Sequence, residues 1–298
     1  MRPDRRGFTL IEILVALVIF AVVATVLTRM LILSQRITTA QTVRATLQSN
    51  LRVGSLVVPN ELRMLNQSSE TDILDISDSS ITYRAMRGYY VLCATITSAT
   101  SISVIKVQPS PYAFDYRAPA TNDSAFIFFE NDSLKISDDK WAPVGISSVA
   151  SGTCTFASVS RAAHIFTLSS TGIATGTYAL AGFLKGAPVR TFEITRLSLY
   201  ATGGQKWLGM CTGGSSCTLQ PVLGPLATTN GITITRYNDV GTLVTGNTLA
   251  NRNSLRSLKV RFIGIGEQGI TRGSDNSARS ILQDTLTTVV TLRNVKQN

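Results

Sequence analysis

From Phe8 to Leu27 the chain is apolar at almost every position, interrupted by Thr9, Glu12 and Thr25. Beyond it the pattern changes. Leu33, Ile37, Ala40, Val43, Leu47 and Leu51 recur at steps of three and four, with Gln35, Arg36, Gln41, Arg44 and Gln48 between them. An apolar run of about 20 residues is long enough to cross ~30 Å of hydrocarbon, and the stepped pattern is one face of an amphipathic helix. No glycine or proline separates the two stretches. They predict one helix from Phe8 to about Val53, about 65 Å long at the usual rise per residue, which Gly54 and Pro59 interrupt.

After Pro59 the period falls to two. Ile81, Tyr83 and Ala85 alternate with Ser80, Thr82 and Arg84, and Phe126 to Glu130 and Leu134 to Ser137 flank Asn131-Asp132-Ser133 as a hairpin. Further strands are expected at Val91 to Ile96, Ile165 to Ser169, Thr191 to Tyr200, Lys206 to Met210, Gly231 to Tyr237, Ser257 to Gly264 and Asp284 to Asn294, with a turn at Gly203-Gly204. Residues 108–124, with Pro109, Pro111 and Pro119, read as a loop and not as a linker between two domains. The fold class is α+β: a long N-terminal helix packed on an antiparallel β-sheet head.

Composition fits a globular head, with 44% hydrophobic and 15% charged residues in 298. The net charge is +10. It permits an acidic partner such as nucleic acid or an anionic membrane, but no Lys/Arg run focuses it. The four cysteines, Cys93, Cys154, Cys211 and Cys217, follow a membrane-directing segment and favour disulfides in an oxidising compartment. Cys211 and Cys217 flank Thr-Gly-Gly-Ser-Ser, so this pair together with Cys93–Cys154 is the preferred arrangement of three. Such a short closed loop stabilises by roughly 2 kcal/mol on the chain-entropy model. Zinc is disfavoured, because no C-x-x-C and no second histidine accompany His164.

Glu12 is the exception inside the apolar run. An ionised carboxylate in hydrocarbon costs a few kcal/mol or more unless something pairs with it. A secretory signal peptide cut after Val22-Val23-Ala24 leaves the acid unexplained, and so does a twin-arginine export signal at Arg5-Arg6-Gly7-Phe8. A retained membrane helix explains it. The arginines mark the cytoplasmic side, and a cut after Gly7 frees the amine of Phe8 four residues before Glu12. In a bundle of such helices, Glu12 of one subunit then pairs with the terminal amine of its neighbour and favours one axial register.

Arg6-Gly7-Phe8-Thr9-Leu10-Ile11-Glu12, followed by an apolar helix, resembles the class III signal of type IV pilins and type II secretion pseudopilins. The resemblance implies that prepilin peptidase cuts after Gly7 and that Phe8 is N-methylated, with Glu12 setting the assembly register. It divides the chain into a leader (1–7), a transmembrane and fibre-core helix (8–30), and an amphipathic helix half with a β-rich head (31–298). Major pilins carry a proline where this chain has Arg29. That departure, with the large head, points to a minor component. Asn60-Glu61-Leu62-Arg63-Met64-Leu65 is similar to the turn that follows the helix in PilW-type minor pilins and J-type pseudopilins, and Val290-Thr291-Leu292-Arg293-Asn294 looks like the last strand of PilW-type proteins.

The function implied by this resemblance is that of a non-enzymatic minor type IV pilin, which helps to initiate pilus assembly or forms part of a tip complex. A J-type minor pseudopilin of a type II secretion system is the alternative, and a tip subunit for DNA binding or adhesion is the second. The implied partners are other minor pilins and the major pilin, prepilin peptidase, the inner-membrane assembly platform and, before assembly, membrane lipid. The implied location is a single pass through the cytoplasmic membrane with the head outside, then the pilus or pseudopilus.

Other chemistry is sparse. No Gly-x-Ser-x-Gly, Walker loop or His-Glu-x-x-His occurs, and no cofactor is implied. His164, between Ala162-Ala163 and Ile165-Phe166, reads as a structural histidine on a strand. Asp72, Asp75 and Asp78, and Asp132, Asp138 and Asp139, lack the EF-hand spacing and read as solvated loops more readily than as calcium ligands. Arg84, Arg87, Tyr89 and Tyr90 place two cations beside two aromatics, a combination that suits a DNA contact.

Overall fold

The computed structural model describes residues 9–65, 72–96, 104–108, 117–121, 123–130, 134–135, 139–156, 158–169, 178–213, 217–270 and 280–292. Thr9 opens the first helix, α1 (Leu10–Leu62): its backbone is extended and its hydroxyl accepts from the Glu12 N–H at 3.3 Å. The threonines within the helix are satisfied locally. Thr25 and Thr28 donate to the Ala21 and Ala24 carbonyls at 2.7 and 2.8 Å, so both hydroxyls find acceptors within the helix itself.

The helix does not stop near Val53. Gly54 and Pro59 lie inside it, and both are buried. Gly54 is needed because the Leu223 side chain occupies the space a Cβ would take, and across the contact Gly264 leaves room for Leu47 and Leu51. Pro59 removes one ladder N–H close to the end, and the Arg63 N–H still reaches the Pro59 carbonyl at 3.0 Å. Tertiary packing over this last stretch outweighs the helix-breaking preference of the two residues.

Contact with the head also begins later than the amphipathic pattern predicts. Leu33 and Ile37 are 54% and 50% exposed, Ala40 and Val43 are half-buried, and full burial starts at Leu47. Leu47, Leu51, Gly54, Val58, Leu62 and Leu65 then form the buried stripe.

The strands are β1 (Ile73–Ile76), β2 (Ser80–Leu92), β3 (Val104–Gln108), β4 (Ser124–Phe129), β5 (Lys140–Phe156), β6 (Val159–Leu168), β7 (Pro188–Thr202), β8 (Gln205–Thr212), β9 (Gln220–Leu226), β10 (Ile232–Tyr237), β11 (Ser257–Ile270) and β12 (Ser280–Thr291), with a short helix α2 (Leu249–Ser254) before β11. Pairing is antiparallel throughout. β1, β3, β5 and β9 join those expected from the alternation, and β6 and β7 run longer. The partner of β4 is β5, starting at Lys140, and not residues 134–137. Leu134 and Lys135 are outside any strand, and 131–133 and 136–138 lie outside the described residues. β2 ends at Leu92, short of the expected Ile96. The Gly203-Gly204 turn joins β7 to β8 with φ of +58° and +76°, conformations glycine adopts without strain.

One continuous sheet carries two cores. The pairings β2–β3, β3–β6, β6–β5, β5–β4, β4–β7 and β7–β2 close into a ring. Tyr90, Leu92, Ile127, Phe129, Phe166, Phe183 and Val189 belong to the core of this part. The other core lies under α1, where Leu47, Leu51, Val58 and Leu62 meet Ile81, Tyr83, Leu197, Leu223, Val260, Phe262 and Val290. β2 and β7 serve both. They bury Tyr90 and Val189 in the ring core, while Tyr83 and Leu197 lie in the core under α1.

Candidate functional site

The most conspicuous surface is the free length of α1. From Leu10 to Thr39 nearly every residue is exposed, among them Leu10, Leu14, Leu17, Phe20, Val26, Met30 and Leu31. About 45 Å of helix is bare, and about the first 36 Å, up to Leu33, is mainly apolar, a surface that lipid or other helices can cover. α1 is the helix among the described residues that is long and apolar enough to cross a membrane.

Glu12 sits in the first turn, exposed, where the helix dipole favours a carboxylate. Thr9 and Glu12 stand as the first and last residues of a capping box, whose signal is the run Thr-Leu-Ile-Glu itself. Gly7 and Phe8 lie outside the described residues. A cut between them leaves Thr9, and with it the helix cap, in the mature chain.

At its other end α1 is anchored by charge. Glu61 accepts from the Tyr83 hydroxyl at 3.2 Å and lies 3.8 Å from Arg87 Nη1. Arg87 also pairs with Glu193, which meets Arg117 at 3.0 Å, and Arg117 meets Asp123 at 2.8 Å. This network ties the end of the helix to β2, β7 and the approach to β4. Burial, reinforced by the Glu61 carboxylate, holds the Tyr83 phenol well above its ordinary pKa, so it stays a donor. Glu61, Arg87 and, through the strand alternation, Tyr83 are the members of this network that the sequence patterns singled out. Glu193, Arg117 and Asp123 come together through pairings that no local pattern shows.

The four residues considered for DNA do not share a free surface. Tyr90 is fully buried, Arg87 is held by the two glutamates, and the Arg84 guanidinium lies over Phe126 and Phe192 at 5.1 and 5.6 Å. Tyr89 is half-buried opposite Arg190. Their alternation reflects core packing of β2, not a stacking platform.

The carboxylates of the 72–78 segment go to separate partners. Asp72 is buried 3.8 Å from Arg190, Asp75 accepts from Asn247, and Asp78 pairs with Arg236 at 2.8 Å. Asp72 is therefore part of the packed head and not of a solvated loop. Asp132 and Asp138 lie outside the described residues. His164 is half-buried on β6, edge-on to Tyr90 at 5.7 Å and parallel to Phe166 at 6.3 Å. Both expected disulfides are present, Cys93–Cys154 and Cys211–Cys217, with Cα atoms 6.0 and 5.7 Å apart. The first closes a separation of 61 residues and ties the end of β2 to the β5–β6 hairpin, an effect of about 4 kcal/mol on the chain-entropy model.

Residues 2–28 match the prokaryotic N-terminal methylation motif. The matched segment covers the basic start, Gly7-Phe8, Glu12 and the apolar run up to Thr28. The motif indicates a type IV pilin- or pseudopilin-like prepilin, and it implies processing by prepilin peptidase and assembly with other pilins. With the apolar helix it fits a membrane-anchored pilin. No curated protein and no solved structure matches the chain.

Proposed function

We propose that this chain is a minor type IV pilin, a scaffold and not an enzyme, that helps to start the fibre or stands at its tip. The observation that carries the reading is the bare helix: Glu12 in the first turn and about 36 Å of exposed, mainly apolar helix from Leu10 to Leu33 continue without a break into a buried anchor. Two features favour a minor over an abundant subunit. Arg29 stands where major pilins have a proline, and the head carries a ring-closed core in addition to the one that holds the helix.

Deleting the gene in its host and counting surface fibres by electron microscopy tests this. Fibres should become rare and return when the chain is supplied, and sheared fibres should hold it at a small fraction of the main subunit. Normal fibres together with failed export of secreted enzymes would replace this reading by the pseudopilin one.

A further inference from the structure

β2 and β7 pass from one core into the other, and their pairing slips by one residue at the crossing. Met86 faces Phe192 and Gly88 faces Thr191, so Arg87 is the extra residue of a bulge. A bulge re-aims the side chain it carries. Along β2, Arg87 thus stands between Tyr83 of the core under α1 and Tyr90 of the ring core. The next residue has no room for a side chain, because Tyr90 and Thr191 fill the space a Cβ on Gly88 would take.

Arg87 divides its donors. Its Nη1 lies 3.8 Å from Glu61 at the end of α1, its Nε donates to Glu193 on β7, and its Nη2 donates to Thr195 Oγ1 at 3.4 Å. Glu193 is shared in turn: Oε1 meets Arg87, and Oε2 accepts from Arg117 Nη2 at 3.0 Å. Arg117 also reaches both carboxylate oxygens of Asp123, which accepts from the Ala120 N–H at 2.8 Å. The side chains of Glu61, Arg87, Glu193 and Asp123 are 19%, 12%, 15% and 8% exposed, so water and salt screen these contacts less than a surface pair. Among the described residues, Glu61 and Arg117 meet only through Arg87 and Glu193.

We infer that Arg87 and Glu193 form a relay through which the seating of α1 on the head and the hold of Arg117 on β7 depend on each other. Each of the two is shared between opposite charges. When α1 withdraws Glu61, Arg87 turns wholly to Glu193, and the hold of Glu193 on Arg117 weakens. When Arg117 leaves, Glu193 turns wholly to Arg87, and the hold of Arg87 on Glu61 weakens. The coupling is reciprocal, as linkage requires. α1 is the element that leaves the head for lipid or other helices, so the relay carries its state to the approach to β4 and the ring core. The inference rests on α1 as the anchor of the chain and is independent of which fibre it serves.

The test measures amide exchange on the full-length protein in detergent micelles. R117Q alters a side chain that is 41% exposed. It should speed exchange at least threefold at the Arg63 and Leu65 N–H groups, which close the end of α1 on the Pro59 and Leu62 carbonyls, and leave Leu208 of the same core unchanged. E61Q keeps an acceptor for the Tyr83 hydroxyl and removes only the charge. It should speed exchange at least threefold at the pairs Ser124–Phe192 and Ala125–Thr191, where β4 meets β7. R44Q removes the same charge as R117Q from an exposed site on α1 and should move neither place. The inference is overturned if R117Q leaves the end of α1 unchanged or speeds Leu208 equally, if folded E61Q leaves the β4–β7 pairs unchanged, or if R44Q matches R117Q. R117Q alone decides where E61Q does not fold. Neither readout depends on fibre counts, so the minor-pilin reading stands or falls separately.

Discussion

Glu12 has two physical roles available at once, and they separate by substitution. In the helix cap its backbone N–H donates to the Thr9 hydroxyl, at the position where a capping box places Glu or Gln, so glutamine suits this role as well. As the partner of a neighbour's terminal amine it must carry charge. Glu12→Gln keeps the first role and removes the second. If pairing governs assembly, the variant is processed normally yet supports few fibres, because an unpaired amine in the helix bundle costs about 3 to 5 kcal/mol. Wild-type fibre counts with Glu12→Gln would leave only the cap. Tyr83 offers a second single-residue test. Its raised pKa means that the folded chain keeps a proton which the unfolded chain releases near pH 10. The stabilisation is fully present below about pH 10 and is lost as pH rises through the folded value. Tyr83→Phe should therefore cost about 1 to 2 kcal/mol at pH 7 and flatten the fall in stability above about pH 10, read from urea melts. An unchanged slope would contradict the assignment.

At the scale of the element, α1 is one helix with two environments, and the border falls between Thr39 and Leu47. Leu51→Ala, within the buried stripe, should destabilise the head by about 2 to 5 kcal/mol. Ile37→Ala, on the bare part, should change head stability by less than about 0.5 kcal/mol while lowering the yield of assembled fibres. Equal effects of the two on stability would show that the helix is held by the head along its whole length. The helix was legible in the sequence because a long apolar run and a 3.6-residue period are local signals. Its end was not: Gly54 and Pro59 read as breakers, and their accommodation depends on Leu223 and on the packing of Val58 and Leu62, which lie far from any local pattern. The strands divide in the same way. Those with clean alternation, β2, β10 and β12, were visible. β9 was not, because Pro221 and Pro225 argue against a strand. Nor was β5, whose polar Ser147-to-Thr155 stretch belongs to a solvent-facing hairpin.

For the whole molecule, the ring closed by β2 and β7 joins residues about a hundred positions apart, so no window of sequence contains it. The disulfides were foreseen because cysteine spacing is itself a long-range signal, and Cys93–Cys154 links two strands of that ring. The functional surface was legible to the extent that it is linear: the leader, Glu12 and the bare helix are contiguous, whereas the relay from Glu61 to Arg117 exists only once β2 and β7 are paired. The proposed role requires a prepilin whose mature form begins at Phe8. Intact-mass measurement on protein purified from cells with prepilin peptidase reads this out. The expected product is a chain lacking residues 1–7 and carrying one methyl group on the Phe8 amine. A mature terminus at Thr25, or a full-length chain from cells in which the peptidase is active, would contradict it.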